Sequence, residues 1–236
     1  MSLCVEQRQS NSPYVESIMH GWTTAAGASI RPAETHWHMI FVREQGNMHP
    51  IVVGALTAAG IAQWREGAEI LWLKFKLGTY MPHVSQKAFL NRETILPSAA
   101  SQSFWLKGSV WQFPNYNNVD TFVDRLVRND LLVWDPVVRA MLQDQPQAIA
   151  PRTARHRFLH ATGLTLSHIR QVERAQQAAD LLQRGISISD ATYALGYYDQ
   201  PHMTRSLKHL IGYTPSQIAH VRHPTSDRQT IQVMSQ

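Results

Sequence analysis

A short segment near the carboxyl end of the chain carries side chains that can contact DNA bases. Its apolar positions recur at Met203, Leu207 and Leu210, as on the buried side of a helix. The residues on the outward side are then Gln200, His202, Arg205 and His209. Arginine pairs bidentately with guanine in the major groove, and glutamine does so with adenine. The pattern predicts base contacts from the first three of these residues and a phosphate contact from Lys208.

Two short helices must position these side chains. Ser187, with Asp190 three residues later, predicts a capped start for the first helix, which ends at Gly196. Asp199 or its neighbour is expected to cap the second helix, and Pro201 is tolerated in its first turn. Two helices around a glycine-containing turn form a helix-turn-helix, whose second helix enters the major groove. The alternative is a helical protein-interaction module that does not bind DNA.

A second helix with an outward basic side is predicted upstream. It begins after Ala150 at Pro151 and ends at Gly163, with Ala154 and Phe158 buried. The outward residues are Arg152, Arg155 and His156. The preceding helix starts at Asp135-Pro136, and only about eight residues separate the two helices. This connection departs from a usual helix-turn-helix, so the sequence leaves open whether the first motif is complete.

A long helix is predicted between the two motifs. Thr165 caps it, and Gly185 follows its last residues. A helix of this length spans about 27 Å, close to the DNA turn of about 34 Å that separates successive major grooves. One rigid connector can therefore present both outward faces to the same side of the duplex. Arg170 and Arg174 lie outside its apolar stripe and are predicted phosphate contacts, or else ordinary surface residues.

The run GYYDQPHMTRSLKHLIGYTPSQI resembles the C-terminal signature of the AraC/XylS family of transcriptional regulators. The run APRTARHRFLHATGLT is similar to the first recognition helix of such domains, and that alignment places base-contacting positions at Arg152, Arg155 and His156. Pro201 and His202 depart from the residues usual in that family, which leaves the particular bases open. The resemblance implies a sequence-specific DNA-binding transcriptional regulator. A non-specific architectural DNA-binding protein is a further alternative.

Composition changes near Asp135. All seven tryptophans precede this residue. Residues 1–134 contain 11 basic and 10 acidic side chains, whereas residues 135–236 contain 11 and 7, so most of the net charge of +5 lies in the second part. We predict a regulatory domain at 1–134, a helical DNA-binding domain at 135–220 and a polar tail at 221–236.

The first part is predicted to be rich in β-strands after a polar, disordered start at 1–12. Residues 35–42 are typical of a strand buried on both faces, and residues 70–77 alternate between apolar and wetter positions. Short strands of this kind predict a sandwich or small barrel, so the fold class is α+β. This part resembles the cupin-like N-terminal domain of some AraC-type regulators, which implies a small-molecule effector or dimerisation. The alternative is a tryptophan-rich core without a ligand.

Two histidines offer a different chemistry. Period 2 places His36 and His38 on one strand face, where two imidazoles can share a metal ion, as in the cupin metal motif. Gly27 is too distant for that motif, and His83 is the only later candidate before the helical part. We therefore expect no metal and no cofactor. A cupin-type metal-binding protein or enzyme using this pair is kept as an alternative.

The remaining features limit the class of protein. Cys4 is the only cysteine, which favours a reducing compartment. The longest weakly polar run, 51–62, is shorter than the roughly 20 residues that span a bilayer, and the start lacks a secretion signal. We expect a soluble, cytoplasmic protein that is not an enzyme and does not bind membranes. Its expected partners are double-stranded DNA, RNA polymerase if it activates transcription, and a second copy of itself.

Overall fold

A β-rich part is followed along the chain by a helical part. The computed structural model describes residues 3–100, 102–146 and 148–220. The strands are β1 (Leu3–Gln9), β2 (Val15–Thr23), β3 (Gly27–Arg31), β4 (His38–Glu44), β5 (Asn47–Val53), β6 (Gly60–Trp64), β7 (Glu69–Phe75), β8 (Thr79–Tyr80), β9 (Glu93–Ile95), β10 (Ser98–Ala100), β11 (Ser103–Leu106), β12 (Ser109–Gln112) and β13 (Val133–Trp134). The helices are α1 (Gln86–Phe89), α2 (Val119–Arg128), α3 (Pro136–Leu142), α4 (Pro151–Thr162), α5 (Leu166–Gln183), α6 (Ile188–Ala194), α7 (Gln200–Leu210) and α8 (Pro215–His220). The predicted α+β class is confirmed.

The largest sheet has six antiparallel strands in the order β1-β2-β7-β4-β5-β9. Strand β7 alternates as predicted, because Leu71, Leu73 and Phe75 are buried while the residues between them are partly exposed. Smaller sheets are formed by β3 with β6, by β8 with β13 and by β10 to β12. Helix α2 covers one face of the core, where the ring of Phe122 packs edge-on against Phe41 at 5.8 Å between centroids. The predicted β-rich first part is therefore present.

Two expectations for the first part were wrong in detail. Residues 3–9 are not disordered but form β1, which pairs with β2 from Leu3 opposite Thr23 to Gln9 opposite Ser17. Backbone hydrogen bonds to a neighbouring strand do not require apolar side chains, so a polar edge strand gives no periodic signal. The strand expected from residue 35 begins at His38 instead, because the Glu34 carboxylate accepts hydrogen bonds from the His36 backbone N–H (3.1 Å) and forms a local turn.

Helix α3 begins where the sequence predicts. The Asp135 side chain caps α3 by accepting a hydrogen bond from the Val137 N–H (2.9 Å). Helix α4 starts at Pro151 and is closed by Gly163 in the left-handed conformation (φ 73°). An apolar cluster joins Phe158 of α4 to Ala55 of the β-rich part, so packing is continuous across the predicted boundary near Asp135. The predicted tail at 221–236 lies outside the described residues.

A partly buried ionic network fixes the chain just before β4. The His36 ring donates hydrogen bonds to Glu16 (Nε2 to Oε2, 2.9 Å) and Glu34 (Nδ1 to Oε1, 2.8 Å). Lys74 also contacts Glu16, at 3.2 Å. Burial alone would lower the pKa of His36, but the hydrogen bonds to the two carboxylates raise it, and the net shift is upward. The pKa of each carboxyl is lowered to about 2, so the network holds His36 as an imidazolium.

We predict that His36→Gln destabilises the protein most at mildly acidic pH. A raised folded-state pKa stabilises the fold fully below the unfolded value of about 6.5, and this contribution disappears as pH rises through the folded-state pKa. The expected loss in the free energy of unfolding is about 1–3 kcal/mol near pH 6 and is smaller near pH 9. Denaturant unfolding at both pH values measures it. His156→Gln, an exposed position on α4, is the matched control, and an equal loss at both pH values would contradict the assignment.

Candidate nucleic-acid interface

The α6–α7 unit is built by its capping residues. Ser187 accepts a hydrogen bond from the Asp190 N–H (3.0 Å), which fixes the start of α6. Asp199 accepts one from the His202 N–H (2.6 Å) at the start of α7. Gly196 lies between the helices with φ +65°, a conformation that favours glycine. The predicted bounds and caps of this helix pair are confirmed.

Helix α7 turns its apolar side inward and its basic side outward. Met203 and Leu207 are fully buried. The exposed polar residues of the helix are Gln200, Arg205, Lys208 and His209. The ring of His202 is half-buried and packs edge-on against Tyr197, with 5.5 Å between centroids. The helix therefore presents an arginine and a glutamine to solvent, the two side chain types suited to bidentate base contacts.

Helix α4 has a similar division of faces. Arg152, Arg155 and His156 are exposed, while Ala154 and Phe158 are buried. Arg157, which follows His156, is partly buried. It donates two hydrogen bonds to Asp135, from Nε (2.9 Å) and Nη2 (2.7 Å). Because Asp135 also caps α3, one carboxylate holds α3 and α4 together. This bidentate pair fixes α4 across the connection at 143–150.

The connector α5 has 18 residues and lies against α6, α7 and α8. Arg170 is exposed and forms an ion pair with Asp144 (2.6 Å). Surface ion pairs contribute little free energy, so this guanidinium is able to exchange the pair for a phosphate. Arg174 is half-buried, and its guanidinium carbon lies 4.7 Å from the Tyr197 ring centroid. Arg174 therefore packs against the turn that precedes α7.

Two exposed tyrosines were not singled out from the sequence. Tyr198, in the turn between α6 and α7, is 92% exposed, and Tyr193 on α6 is 90% exposed. Tyrosine hydroxyls are common donors to DNA phosphates. The signal available in the sequence was the adjacent pair Tyr197-Tyr198 in the turn. The ring of Tyr197 is buried, whereas the ring of Tyr198 is exposed.

The charge of this part favours an anionic partner. Residues 148–220 contain eight Arg and Lys side chains and four Asp and Glu side chains. One of the acidic groups, Asp199, caps α7, and another, Asp190, lies in the first turn of α6. Acidic groups at helix N-termini are stabilised by the helix dipole. Their placement there leaves the exposed face of α7 with basic and neutral polar residues.

The β-rich part contacts the far end of α7. The Ala33 N–H donates to the Leu210 carbonyl (2.7 Å), and the Ala59 N–H donates to the His209 carbonyl (2.8 Å). These carbonyls belong to the last turn of the helix, where no intrahelical donor is available. Directly after the helix, Gly212 has φ +89°, and a Cβ atom built there would lie 2.5 Å from Ile30 Cγ2. Helix α7 therefore contacts the β-rich part through its carboxyl end.

The His36 and His38 side chains do not converge. Both ring nitrogens of His36 bind carboxylates, whereas His38 accepts a hydrogen bond from Trp72 (Nε1 to Nδ1, 2.7 Å). Burial lowers the pKa of His38 to about 3, so this ring is neutral. Within residues 3–100, 102–146 and 148–220, no group of three or more His, Cys, Asp or Glu side chains is placed to hold a metal ion. The prediction that both histidines lie on one strand face was wrong, because β4 begins at His38 and His36 precedes it.

A cavity of about 710 Å³ lies inside the β-rich part. The β3–β6 pair forms one wall, and strands β4, β5 and β7 form the other. Its lining is mainly apolar, and the charged residues that border it are Arg31, Glu44, Arg65 and Glu93. The volume is within the range usual for small-molecule sites. Across the described part of the chain, no helix is long and apolar enough to cross a membrane.

Comparison with known proteins defines the class of the helical part. A family model described as a helix-turn-helix domain matches residues 148–220, the segment that contains α4 to α8. The resemblance to AraC/XylS regulators is confirmed here, and residues 148–220 are an AraC-type helix-turn-helix domain. The segment before α4 lies largely outside the match.

One similar protein is the HTH-type transcriptional regulator RipA of Corynebacterium glutamicum, which is 32% identical over 88 residues. This match covers 36% of the present chain and 27% of RipA, so the chain spans about a quarter of that relative. No solved structure matches the chain. The cupin-like resemblance of the first part therefore stays a prediction.

We predict that Asp199→Ala lowers the free energy of unfolding by about 1 kcal/mol, because the His202 N–H loses its acceptor. Asp199→Asn keeps an acceptor oxygen at the same position and should change stability by only a few tenths of a kcal/mol. Denaturant unfolding of both variants measures the difference. Equal destabilisation by alanine and asparagine would show that the charge, rather than the cap, stabilises α7.

Proposed function

We propose that the protein is a sequence-specific transcriptional regulator that binds double-stranded DNA with α7 and α4 in successive major grooves. The exposed face of α7 carries this proposal, because Gln200 and Arg205 project from the second helix of a helix-turn-helix. The similarity to RipA, which is named a transcriptional regulator, supports it. In this proposal Gln200, His202 and Arg205 contact bases, with His202 needing a ring movement to leave Tyr197.

The second contact comes from α4. Its exposed residues Arg152, Arg155 and His156 are proposed to contact bases one helical turn away from α7. The 18 residues of α5 span about 27 Å, which suits grooves about 34 Å apart. Residues 143–150 form a longer connection than the three or four residues of a usual helix-turn-helix turn. In this proposal the Asp135–Arg157 pair compensates by holding α4 in place.

Phosphate contacts complete the proposed interface. Lys208 is exposed beside the base-contacting face of α7, and Arg170 is exposed on α5. Arg174 is the third residue assigned to a phosphate, and its half-buried side chain lies above the Tyr197 ring. Such contacts position a protein on the duplex without specifying sequence.

The β-rich part is proposed to regulate DNA binding in response to a small molecule in its cavity. Strand β3 lines the cavity through Ile30 and Arg31, and the same segment continues to Ala33, which binds the end of α7. A ligand can shift DNA binding only if its affinity differs between two arrangements of the protein. RNA polymerase, for an activator, and a second copy of the chain are further proposed partners.

Selection from a random duplex library with the full-length protein tests the proposed function. Two enriched sub-sites about one helical turn apart would support contacts from both α4 and α7. One sub-site would limit base recognition to α7. Uniform binding to all sequences would favour an architectural DNA-binding protein instead. No binding even at low salt would overturn the regulator assignment in favour of a protein-interaction module or a protein that acts through His36 and His38.

We predict that Arg205→Ala weakens binding to the selected site by about 1–3 kcal/mol and relaxes the preference at one base pair. Lys208→Ala should weaken binding to selected and random DNA equally and reduce the salt dependence. Titrations at several salt concentrations distinguish these two effects. Arg128→Ala, an exposed arginine at the end of α2, is the control. Equal weakening on both DNAs by Arg205→Ala would reassign that residue to a phosphate.

A further inference from the structure

The polar groups around the cavity of the β-rich part differ in whether they have partners. Glu93 accepts a hydrogen bond from Arg31 Nη1 (3.0 Å), and Glu44 lies 3.8 Å from Arg65 Nη1. Both carboxylates that line the cavity are therefore paired with arginines. The remaining lining is mainly apolar, with Ile40, Ile51, Val53, Ile70 and Trp72, and its other polar residues are Thr23, Ser29, His49 and Gln63. A cationic ligand would find no unpaired carboxylate among these lining residues.

Two buried hydrogen-bond donors at this end of the β-rich part have no acceptor among the described residues. One is Nη2 of Arg31, whose side chain is 17% exposed. The other is Nε2 of His38, which is 2% exposed. His38 Nδ1 accepts from Trp72, so Nε2 carries the ring proton. Arg31 also lies over the Trp72 ring, 5.9 Å from its centroid, which places Trp72 between the two donors.

The arginine is only partly satisfied by its protein partner. A guanidinium presents a planar fork that matches both oxygens of a carboxylate, but Glu93 engages Arg31 through Nη1 alone. The Glu93 side chain is 61% exposed, so water competes for its charge. The unpaired atoms are donors, and the stronger of them belongs to a cation. Arg31 lines the cavity, whereas His38 is not among the lining residues. A ligand that satisfies the Arg31 donor must carry acceptor oxygens and negative charge, with an apolar body against the walls.

We propose that the cavity binds a small monocarboxylate with an apolar body, and that its carboxylate accepts a hydrogen bond from Arg31 Nη2. Glu93 stays on Nη1 and sets the affinity by competing for the same guanidinium. This inference deepens the effector role proposed above and rests on it. It assigns Arg31 as the residue that selects for charge.

Titration calorimetry with octanoate, octanol and octylamine tests the head group, because the three probes share one apolar chain. The full-length protein should bind one octanoate about tenfold or more tightly than either of the other two probes. Arg31→Gln should remove that preference and leave octanol binding unchanged. Glu93→Gln should tighten octanoate binding several-fold, since the competing carboxylate is gone. Arg128→Gln, at an exposed arginine of α2 outside the cavity lining, is the control and should change octanoate binding less than threefold.

Equal binding of the three probes by the unaltered protein would overturn the proposal, and this comparison holds even if Arg31→Gln does not fold. Unchanged octanoate binding by a folded Arg31→Gln variant would also overturn it. The titrations contain no DNA, so they are independent of the library selection. Selective octanoate binding without an enriched DNA sequence would refute the regulator function alone, and an enriched sequence without octanoate preference would refute the ligand class alone.

Discussion

The buried side of α5 connects both candidate recognition helices. Its Ile169 lies in one apolar cluster with Phe158 of α4, and the rest of its buried side packs against α7 and α8. Ala175, Ala178 and Ala179 of this face are buried with Val172 and Leu182, and they pack with the apolar sides of α7 and α8. Small side chains allow neighbouring helices to approach closely. Because α5 is one continuous helix, the position of α7 relative to α4 is set by packing rather than by a flexible linker.

Much of the helical part was predictable, because its signals are local. Ser187, Asp199 and Thr214 each cap a helix through a side chain and a backbone group three residues apart, a pattern that short sequence windows contain. Apolar periodicity likewise located the buried side of α7. The burial of Arg174 against Tyr197 was not predictable, since it depends on how α5 crosses the turn before α7.

The β-rich part was less predictable, because its decisive contacts are non-local. Strand β1 depends on pairing with β2, and the pairing leaves no apolar alternation in a polar edge strand. The cavity requires β3 and β6 to lie opposite the large sheet, a relation between distant segments. His36 and His38 show the same limit: residues two apart have opposite protonation states because one is held by Glu16 and Glu34 and the other by Trp72.

The β-rich part contacts α7 through hydrogen bonds between backbone atoms of both parts. The Ala33 and Ala59 N–H groups meet the carbonyls of Leu210 and His209, and none of these hydrogen bonds depends on which side chains occupy the exposed face of the helix. Residues on that face can therefore be exchanged without disturbing the attachment. In the proposed regulator, this arrangement would let the preferred DNA sequence diverge in evolution while the backbone contacts with the β-rich part are inherited unchanged.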